Sequence, residues 1–536
     1  MAALRSALAN RDLARLLGAL AASSLGTWAF MIALSLYAYA QDGPRAVGLA
    51  VFVRMAPSAF AAPYGAMLAD QRARRGVLVA GGAARMLLGA GVAVAVAAHG
   101  PFALVVTLAA LLNIAGIAHK PAQAALIPQL SRSPVELAAA NVCWSTIDSI
   151  AFVGGSLMVG VLVSLTGLDV TFAVIAGAFG LTALLARTLP ADAPPPRVGD
   201  RVSTELLHGA RTVRAHPELR LLVGMFAVDA FVQGMMDVLI VIAALDLLAI
   251  GESGAGWLNA CWGAGGIAGG ALAAALLGRG RLAWGLFAGC VLAGLPFALI
   301  GVIASTGAAV ALMIALGVGF ALVEVASLTL TQRLAAGDVL GRVYGVEETL
   351  YVAATALGGL LGALLVAPLG ERWTIVLTGL ALPALALVLR RRLSAFEAGA
   401  EVPEEAFGLL RRLDVFASLP MAMIENLALR AQRGRFGQGA DIVTQGAEAD
   451  GFYVIEDGHV EVFVDGISRR EEGPGEYFGE IALLRGGRRT ATVRATDPVT
   501  VLALAREDFL EGVGGHARSA SAAEAIVAER LAPITG

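Results

Sequence analysis

LLGALAASSLGTWAFMIALSLYAYA, residues 16–40, is a run of about 25 residues without a charged side chain. As a helix rising 1.5 Å per residue it crosses the roughly 30 Å hydrocarbon core of a bilayer. Arg5, Arg11 and Arg15 precede it, and it ends in Ala38-Tyr39-Ala40, which mimics a leader cleavage site. The run is too long for a leader's apolar core, and an internal repeat claims it as part of the structure.

Working outward, stretches of spanning length recur at 47–69, 77–98, 102–126, 137–165, 170–189, 219–249, 255–277, 282–304, 308–331, 343–368 and 373–389, about twelve in all. Only helices supply so many single-segment spans, because each closes its own backbone hydrogen bonds in lipid. The composition agrees: 57% of residues are hydrophobic and 15% charged, with mean hydropathy +0.75, whereas a soluble domain is about a quarter charged. A net charge of −3 gives no case for nucleic acid. Every basic residue except Lys120 is Arg, read as the coding bias of a GC-rich genome. Cys143, Cys261 and Cys290 all fall in apolar stretches and form no CxxC pair, so neither a disulfide framework nor a metal site is expected.

Arg5, Arg11, Arg15, Arg72, Arg74, Arg75, Arg132, Arg187, Arg197, Arg201, Arg211, Arg214, Arg220, Arg279, Arg281, Arg333, Arg390, Arg391 and Arg392 fall on one side of the membrane; the other side offers little beyond Arg45 and Arg372. The positive-inside rule puts both termini in the cytoplasm, and the expected location is a bacterial inner membrane. The chain also repeats itself. Arg11-Asp12-Leu13-Ala14-Arg15-Leu16-Leu17 opens the first span and His216-Pro217-Glu218-Leu219-Arg220-Leu221-Leu222 the seventh, offset by 205 between Arg15 and Arg220. Gly154-Gly155 in the fifth span matches Gly358-Gly359 in the eleventh, offset by 204. Two parallel halves of six helices follow, with a binding site expected between them near the midplane. The expected division is 1–189 and 219–392 for the halves and 190–218 for the segment between them. That segment is stiffened by Pro194-Pro195-Pro196 and carries a basic amphipathic helix from Ser203-Thr204-Glu205. A short linker, 393–403, leads to a soluble domain at 404–536.

Between the second and third spans, Ala66-Met67-Leu68-Ala69-Asp70-Gln71-Arg72-Ala73-Arg74-Arg75 resembles the loop motif of the major facilitator superfamily, Gly-x-Leu-x-Asp-Arg-x-Gly-Arg-Arg. Asp70, Arg74 and Arg75 match, while Ala66, Gln71 and Ala73 depart. The resemblance implies a latch on the cytoplasmic gate that pairs the two halves; a plain positive-inside loop is the alternative. The corresponding segment Gly278-Arg279-Gly280-Arg281 has no acid, so at most one half latches. Gly154-Gly155-Gly160 and Gly358-Gly359-Gly362 let helices approach closely, and resemble the fifth-span motif of family exporters except that Gly155 stands where that motif has Pro.

Charges inside spans are costly and point to function. They are Arg54, Arg85, Lys120, Asp148, Asp229, Asp237 and Glu324. Lys120 and Glu324 stand at equivalent repeat positions, and the resemblance implies that their spans, with the seventh, line a central cavity. Asp229 lies about 15 Å into its span, where a carboxylate can carry a coupling proton or pair with Arg54 or Arg85. Lys120 can serve the cavity or snorkel to the interface.

The soluble tail alternates apolar residues from Phe452 to Val464 around Asp457-Gly458, which predicts a hairpin in a small β-barrel or jelly roll, with flanking helices at 404–429 and 506–531. Within it, Phe478-Gly479-Glu480-Ile481-Ala482-Leu483-Leu484-Arg485-Gly486-Gly487-Arg488-Arg489-Thr490-Ala491-Thr492-Val493 is similar to the phosphate-binding cassette of cyclic-nucleotide-binding domains, and Asp414-Val415-Phe416-Ala417-Ser418-Leu419-Pro420 to their N-terminal helical motif. The chemistry suits the residues. Gly479 admits a close ligand, a helical turn beginning at Glu480 points the amides of Ile481 and Ala482 at an anion, and Arg489 offers a planar fork to a phosphate. Glu480 can accept from a ribose hydroxyl. The resemblance implies these roles and adds Thr490, whose hydroxyl is associated with cGMP yet also occurs in cAMP binders; cAMP is favoured. No metal or nucleophile constellation accompanies the cassette, so the chain is not expected to be an enzyme.

The expectation is a secondary transporter of small molecules regulated by a cyclic nucleotide. The alternative is a membrane receptor or scaffold that does not transport. The sequence does not specify the substrate, the coupling ion or the oligomeric state.

Overall fold

The computed structural model describes residues 10–132, 134–192, 202–277, 282–334, 340–400, 404–416, 419, 421–485 and 487–514. The chain forms two compact units, Met1–Ser394 and Ala395–Gly536.

The first unit is all-α: α1 (Arg11–Gln71), α2 (Arg74–Ala97), α3 (Phe102–Gly116), α4 (His119–Leu130), α5 (Pro134–Thr166), α6 (Leu168–Arg187), α7 (Val202–Ala215), α8 (Pro217–Ile242), α9 (Gly251–Leu277), α10 (Leu282–Ile303), α11 (Thr306–Leu334) and α12 (Leu340–Ala400). Among the described residues nine segments are long and apolar enough to cross a membrane. Two of them are double: α1 joins two helices at Asp42 and Gly43, and α12 joins two at Gly370. With α9, each expected stretch has its helix. Leu87, Val94, Leu165, Trp373 and Val388 stand exposed on these helices, a surface that is stable against hydrocarbon rather than water. The stretches Pro194-Pro195-Pro196 and Gly278-Arg279-Gly280-Arg281 lie outside the described residues, as do the side chains of Ser203, Thr204, Glu205 and Arg333.

The halves approach through bare backbone. A Cβ on Gly256 of α9 would stand 2.6 Å from the Ser156 carbonyl oxygen and 2.8 Å from the Gly160 amide nitrogen of α5. One on Gly48 of α1 would stand 2.3 Å from the Ala363 Cβ and 2.9 Å from the Gly359 oxygen of α12. Glycine is the only residue that permits such contacts. The Tyr39 hydroxyl, donating to the Asp246 carboxylate, adds a polar link between the halves. All three contacts lie near the span ends opposite the arginine-rich loops.

Helix α12 continues to Ala400, into the stretch 393–403 expected to link the two units. Arg390–Ala400 contains no Pro and no Gly except Gly399, so the sequence there carries no strong helix breaker.

The second unit opens with α13 (Glu404–Arg411), a 3₁₀ turn at Asp414–Phe416 and α14 (Met421–Arg430), not one continuous helix; Pro420 disfavours helix at Leu419, just before α14. Eight strands follow: β1 (Gln432–Phe436), β2 (Asp441–Val443), β3 (Gly451–Asp457), β4 (Val460–Val464), β5 (Ile467–Glu472), β6 (Tyr477–Phe478), β7 (Thr492–Ala495) and β8 (Val499–Ala505). Helices α15 (Glu480–Arg485) and α16 (Arg506–Gly514) complete it. The expected helix beyond Gly514, and Ala417, Ser418 and Pro420, lie outside the described residues. Two antiparallel sheets, ordered β1-β8-β3-β6 and β2-β7-β4-β5, make the jelly roll. Ile455, Val460, Val462, Val493 and Val501 fill its interior, and Phe416, Phe452 and Phe509 bind the helices to its outside.

One local expectation fails. Asp457-Gly458 makes a corner, not a hairpin: β3 and β4 belong to different sheets. Gly458 has φ +87°, and a Cβ there would meet the Pro498 oxygen at 2.6 Å and Asp497 Oδ1 at 2.8 Å. The alternation of buried Val460, Val462 and Val464 is as expected, because it follows from facing the core and not from the strand's partner.

Asp497 secures this corner. It accepts from the His459 amide at 2.7 Å and lies 3.0 Å from His459 Nδ1. That side-chain bond to Asp497 pushes the imidazole pKa up, and the same bond holds the Asp497 carboxyl below the usual range. The raised imidazole stabilises the fold below the unfolded histidine value of about 6.5, and the contribution is lost as pH rises through the folded value. The depressed carboxyl stabilises above about 4, and that contribution is lost as pH falls through its folded value. We therefore predict that Asp497→Asn lowers the His459 pKa in a ¹³C-histidine NMR titration of the whole protein. Its stability deficit should be largest between about pH 5 and 6.5. An unchanged His459 titration would refute the pairing.

Candidate functional site

The cassette begins where β6 ends. Gly479 has φ +96°, and a Cβ there would stand 2.7 Å from Arg489 Nη1 and 2.9 Å from the Gly451 oxygen. The glycine therefore makes the turn and also clears room for the guanidinium. Glu480 starts α15, whose first amides have no partner within the helix and carry its positive end. Glu480 and Ala482 are buried, Ile481 is half-buried and Thr490 is exposed.

Arg489 is only 4% exposed. Its Nη1 donates to the Gly479 oxygen at 3.0 Å; its Nη2 donates to Asp450 Oδ1 at 2.6 Å and to the Gly451 oxygen at 2.7 Å. Its backbone is pinned too, donating to the Ala447 oxygen and accepting from the Gly446 amide, each at 2.9 Å. The Tyr453 ring lies 5.7 Å from the guanidinium carbon, and its hydroxyl donates to Asp450 at 3.3 Å. Three of five N–H groups are thus engaged, and the fork keeps donors for an incoming oxygen. Burial pushes the Asp450 carboxyl up, but the Arg489 hydrogen bond and charge outweigh it and hold the group low. Asp450 and Gly451, which orient the arginine, were not singled out in the sequence. Their signal is weak, because an Asp-Gly pair before a strand reads as an ordinary turn.

In the membrane unit the structure brings several predicted charges together. Lys120 Nζ lies 3.5 Å from Asp148 Oδ2, and Ser24 donates to Asp148 Oδ1 at 2.6 Å. Glu324 is in electrostatic contact with Lys120 and Asp148, and Asp229 with Glu324. Lys120, Asp148, Asp229 and Glu324, from α4, α5, α8 and α11, so form one charged cluster spanning both halves. Asp237, two turns further along α8, faces Arg54 of α1. Arg54 was an alternative partner for Asp229; it faces Asp237 instead. Arg85 faces neither: it donates to Ser23 and Thr27.

The latch residues have other partners. The Arg74 and Arg75 amides donate to Asp192, at 2.5 and 3.1 Å, and Arg75 Nη2 donates to the Arg187 oxygen at 2.8 Å. Asp192, missed in the sequence, caps the N-terminus of α2 with a carboxylate. Arg187 lies in the same half and Asp192 in the segment that follows it, so the contacts described for these arginines do not reach the C-terminal half. The side chain of Asp70 lies outside the described residues.

Comparison with known proteins follows the same division. A family model described as Major Facilitator Superfamily matches residues 16–351, and one described as Cyclic nucleotide-binding domain matches 433–514. A solved POT family transporter in complex with a thioalcohol conjugated peptide covers 72% of this chain and 97% of its own, with TM-score 0.58 at 14% identity. At that identity the likeness is one of fold. A cAMP-dependent protein kinase regulatory subunit of Yarrowia lipolytica is 38% identical over 95 residues, 18% of this chain and 25% of its own. The cGMP-dependent 3',5'-cGMP phosphodiesterase A of Dictyostelium discoideum is 36% identical over 102 residues, 19% of this chain and 12% of its own. The chain thus spans a quarter or less of the length of these two relatives, and only in its tail. Multi-pass helices, two halves packed on glycine and a separate jelly roll with a buried arginine at its cassette place this chain in the Major Facilitator Superfamily, as a member fused to a C-terminal cyclic nucleotide-binding domain.

Proposed function

We propose that the protein is a secondary active transporter of small molecules in a bacterial inner membrane, with both termini cytoplasmic, whose alternating access is biased by cyclic nucleotide, cAMP in preference to cGMP. The observation that carries the regulatory half of this reading is Arg489. It is a buried, pre-oriented fork beside a glycine turn and a helix N-terminus, the arrangement that recognises a phosphodiester. Gly479, Glu480, Ile481, Ala482 and Thr490 complete the site, with Glu480 accepting from the ribose. The transport half rests on the cluster of Lys120, Asp148, Asp229 and Glu324, which a mere membrane anchor does not need. Asp237 with Arg54 extends the polar path, and Asp70, Arg74 and Arg75 serve the gate. The nucleotide acts by binding two conformations of the protein with different affinity.

Arg489→Ala should weaken cAMP binding by about ten-fold or more, since hydrogen bonds to charged groups contribute roughly 1.5–3 kcal/mol. Titration calorimetry on the purified protein tests it, and unchanged affinity would sink the site. Thr490→Ala should reduce cGMP affinity more than cAMP affinity in the same assay; equal losses would assign its hydroxyl to the phosphate or the fold.

A thermal-shift screen of metabolites, with and without cAMP, supplies a transport substrate. In proteoliposomes, Asp229→Asn should then abolish accumulation driven by a pH gradient while leaving substrate counterflow intact, because counterflow moves no net proton. Glu324→Gln runs beside it. If both variants still accumulate substrate, these carboxylates are structural.

A further inference from the structure

The charged cluster that joins the halves has a wall of rings beside it. On α1, Trp28 stands four residues beyond Ser24, which donates to Asp148. On α5, Phe152 stands four residues beyond Asp148. On α11, which runs the other way, Phe320 stands four residues before Glu324. Residues four apart share a helix face, with Cβ atoms about 5–6 Å from one another. Each ring therefore lies one turn from a member of the cluster. In all three helices that turn leads toward the span ends opposite the arginine-rich loops. Trp262 of α9 completes the set. The ring centroids are 4.8 Å apart for Trp28 and Phe152, 5.8 Å for Phe152 and Trp262, and 5.2 Å for Trp262 and Phe320. One unbroken aromatic layer so crosses from the N-terminal half to the C-terminal half.

Beside this layer the charges keep accessible surface. The Lys120 side chain is 67% and the Asp148 side chain 26% exposed, although the two stand 3.5 Å apart. Glu324 is exposed as well, yet from the opposite half it is in electrostatic contact with both. Surface that stays accessible on groups facing one another across the halves is open space between them. That space is unequally charged. Lys120 pairs with Asp148. Arg54 is 5% exposed and faces Asp237. The charge that acts on Asp229 is a second carboxylate, Glu324, and Asp229 Oδ1 has no hydrogen-bond partner among the described residues. Carboxylates gathered among spans without enough cations are costly, and a positive ligand relieves that cost.

From an aromatic layer that bridges the halves and, one turn away, an excess of carboxylates on open space, we propose that the substrate is an organic cation. Its amine or quaternary ammonium group is held at Glu324 and Asp229, and its apolar body lies against Trp28, Phe152, Trp262 and Phe320. The negative faces of the rings attract a cation as the carboxylates do, and the rings also take up its apolar part. An anion finds Lys120 already paired, and a small hydrophilic solute gains nothing from the rings. This inference rests on the transport reading and adds to it the class of solute that is moved.

The test uses the purified whole protein in detergent, with tetraphenylphosphonium as probe and tetraphenylborate, an anion of the same shape, as its counterpart. Equilibrium dialysis should show saturable binding of the phosphonium and none of the borate. Glu324→Gln should weaken phosphonium binding by about ten-fold, while Glu324→Asp, which keeps the charge, should retain it. Should Glu324→Gln not fold, Phe152→Leu should weaken binding by about three-fold in its place. Arg489→Ala should leave binding unchanged, which separates this site from the tail. Absent binding, equal binding of the two ions, or undiminished binding by folded Glu324→Gln overturns the proposal. Proteoliposomes separate this outcome from that of the transport reading. Saturable phosphonium binding without uptake sinks transport and keeps the cation as a ligand. Accumulation of a neutral or anionic metabolite in a pH gradient, without phosphonium binding, keeps transport and sinks the cation.

Discussion

A backbone amide or carbonyl left unbonded in hydrocarbon costs several kcal/mol, and the membrane unit is organised around that constraint. Each span must be a helix, because only a helix closes its own hydrogen bonds. Helices in lipid then gain little by burying apolar side chains, since lipid is as apolar as leucine. What remains to hold them together is close approach and scarce polar contacts. Both occur where the halves meet, at Gly48 with Ala363, at Gly160 with Gly256, and at Tyr39 with Asp246. Lys120, Asp148, Asp229 and Glu324 are held among the spans as one group.

The jelly roll solves a different problem with the same residue. In water its core forms from alternating valines, and glycine serves to turn the chain where a side chain would collide. Gly458 turns β3 into the opposite sheet and Gly479 turns β6 toward α15. At Gly479 the saved volume is occupied by a guanidinium. A requirement of the backbone and a requirement of the ligand site so fall on one residue, and the site is pre-formed because the fold is.

The sequence made the spans and the cassette legible because each rests on a local pattern: span length for the helices, an unbroken run of residues for the site. Partners distant in the chain were not legible. Asp450 lies far from Arg489 in sequence, and Asp192 lies far from Arg74, yet each makes the contact that fixes its partner. The Asp457-Gly458 turn misled for a related reason: a tight turn is a local event, while the choice of sheet depends on β7 and β8. Arg54 and Arg85 were recognised as expensive, but the sequence does not say which acid each would find. Arg54 faces Asp237, and Arg85 finds none among the described residues.

The glycine seam between the halves also sets how freely the chain can drift. A lipid-facing position such as Leu87 or Val388 accepts almost any apolar side chain, because the neighbour that must yield is fluid. At Gly48 or Gly256 the neighbour is another stretch of backbone, and a single methyl group is already a wedge. Mutational tolerance in this membrane unit therefore follows what lies opposite a residue more closely than how polar the residue is. A map of permitted substitutions would trace the seam in its blank columns.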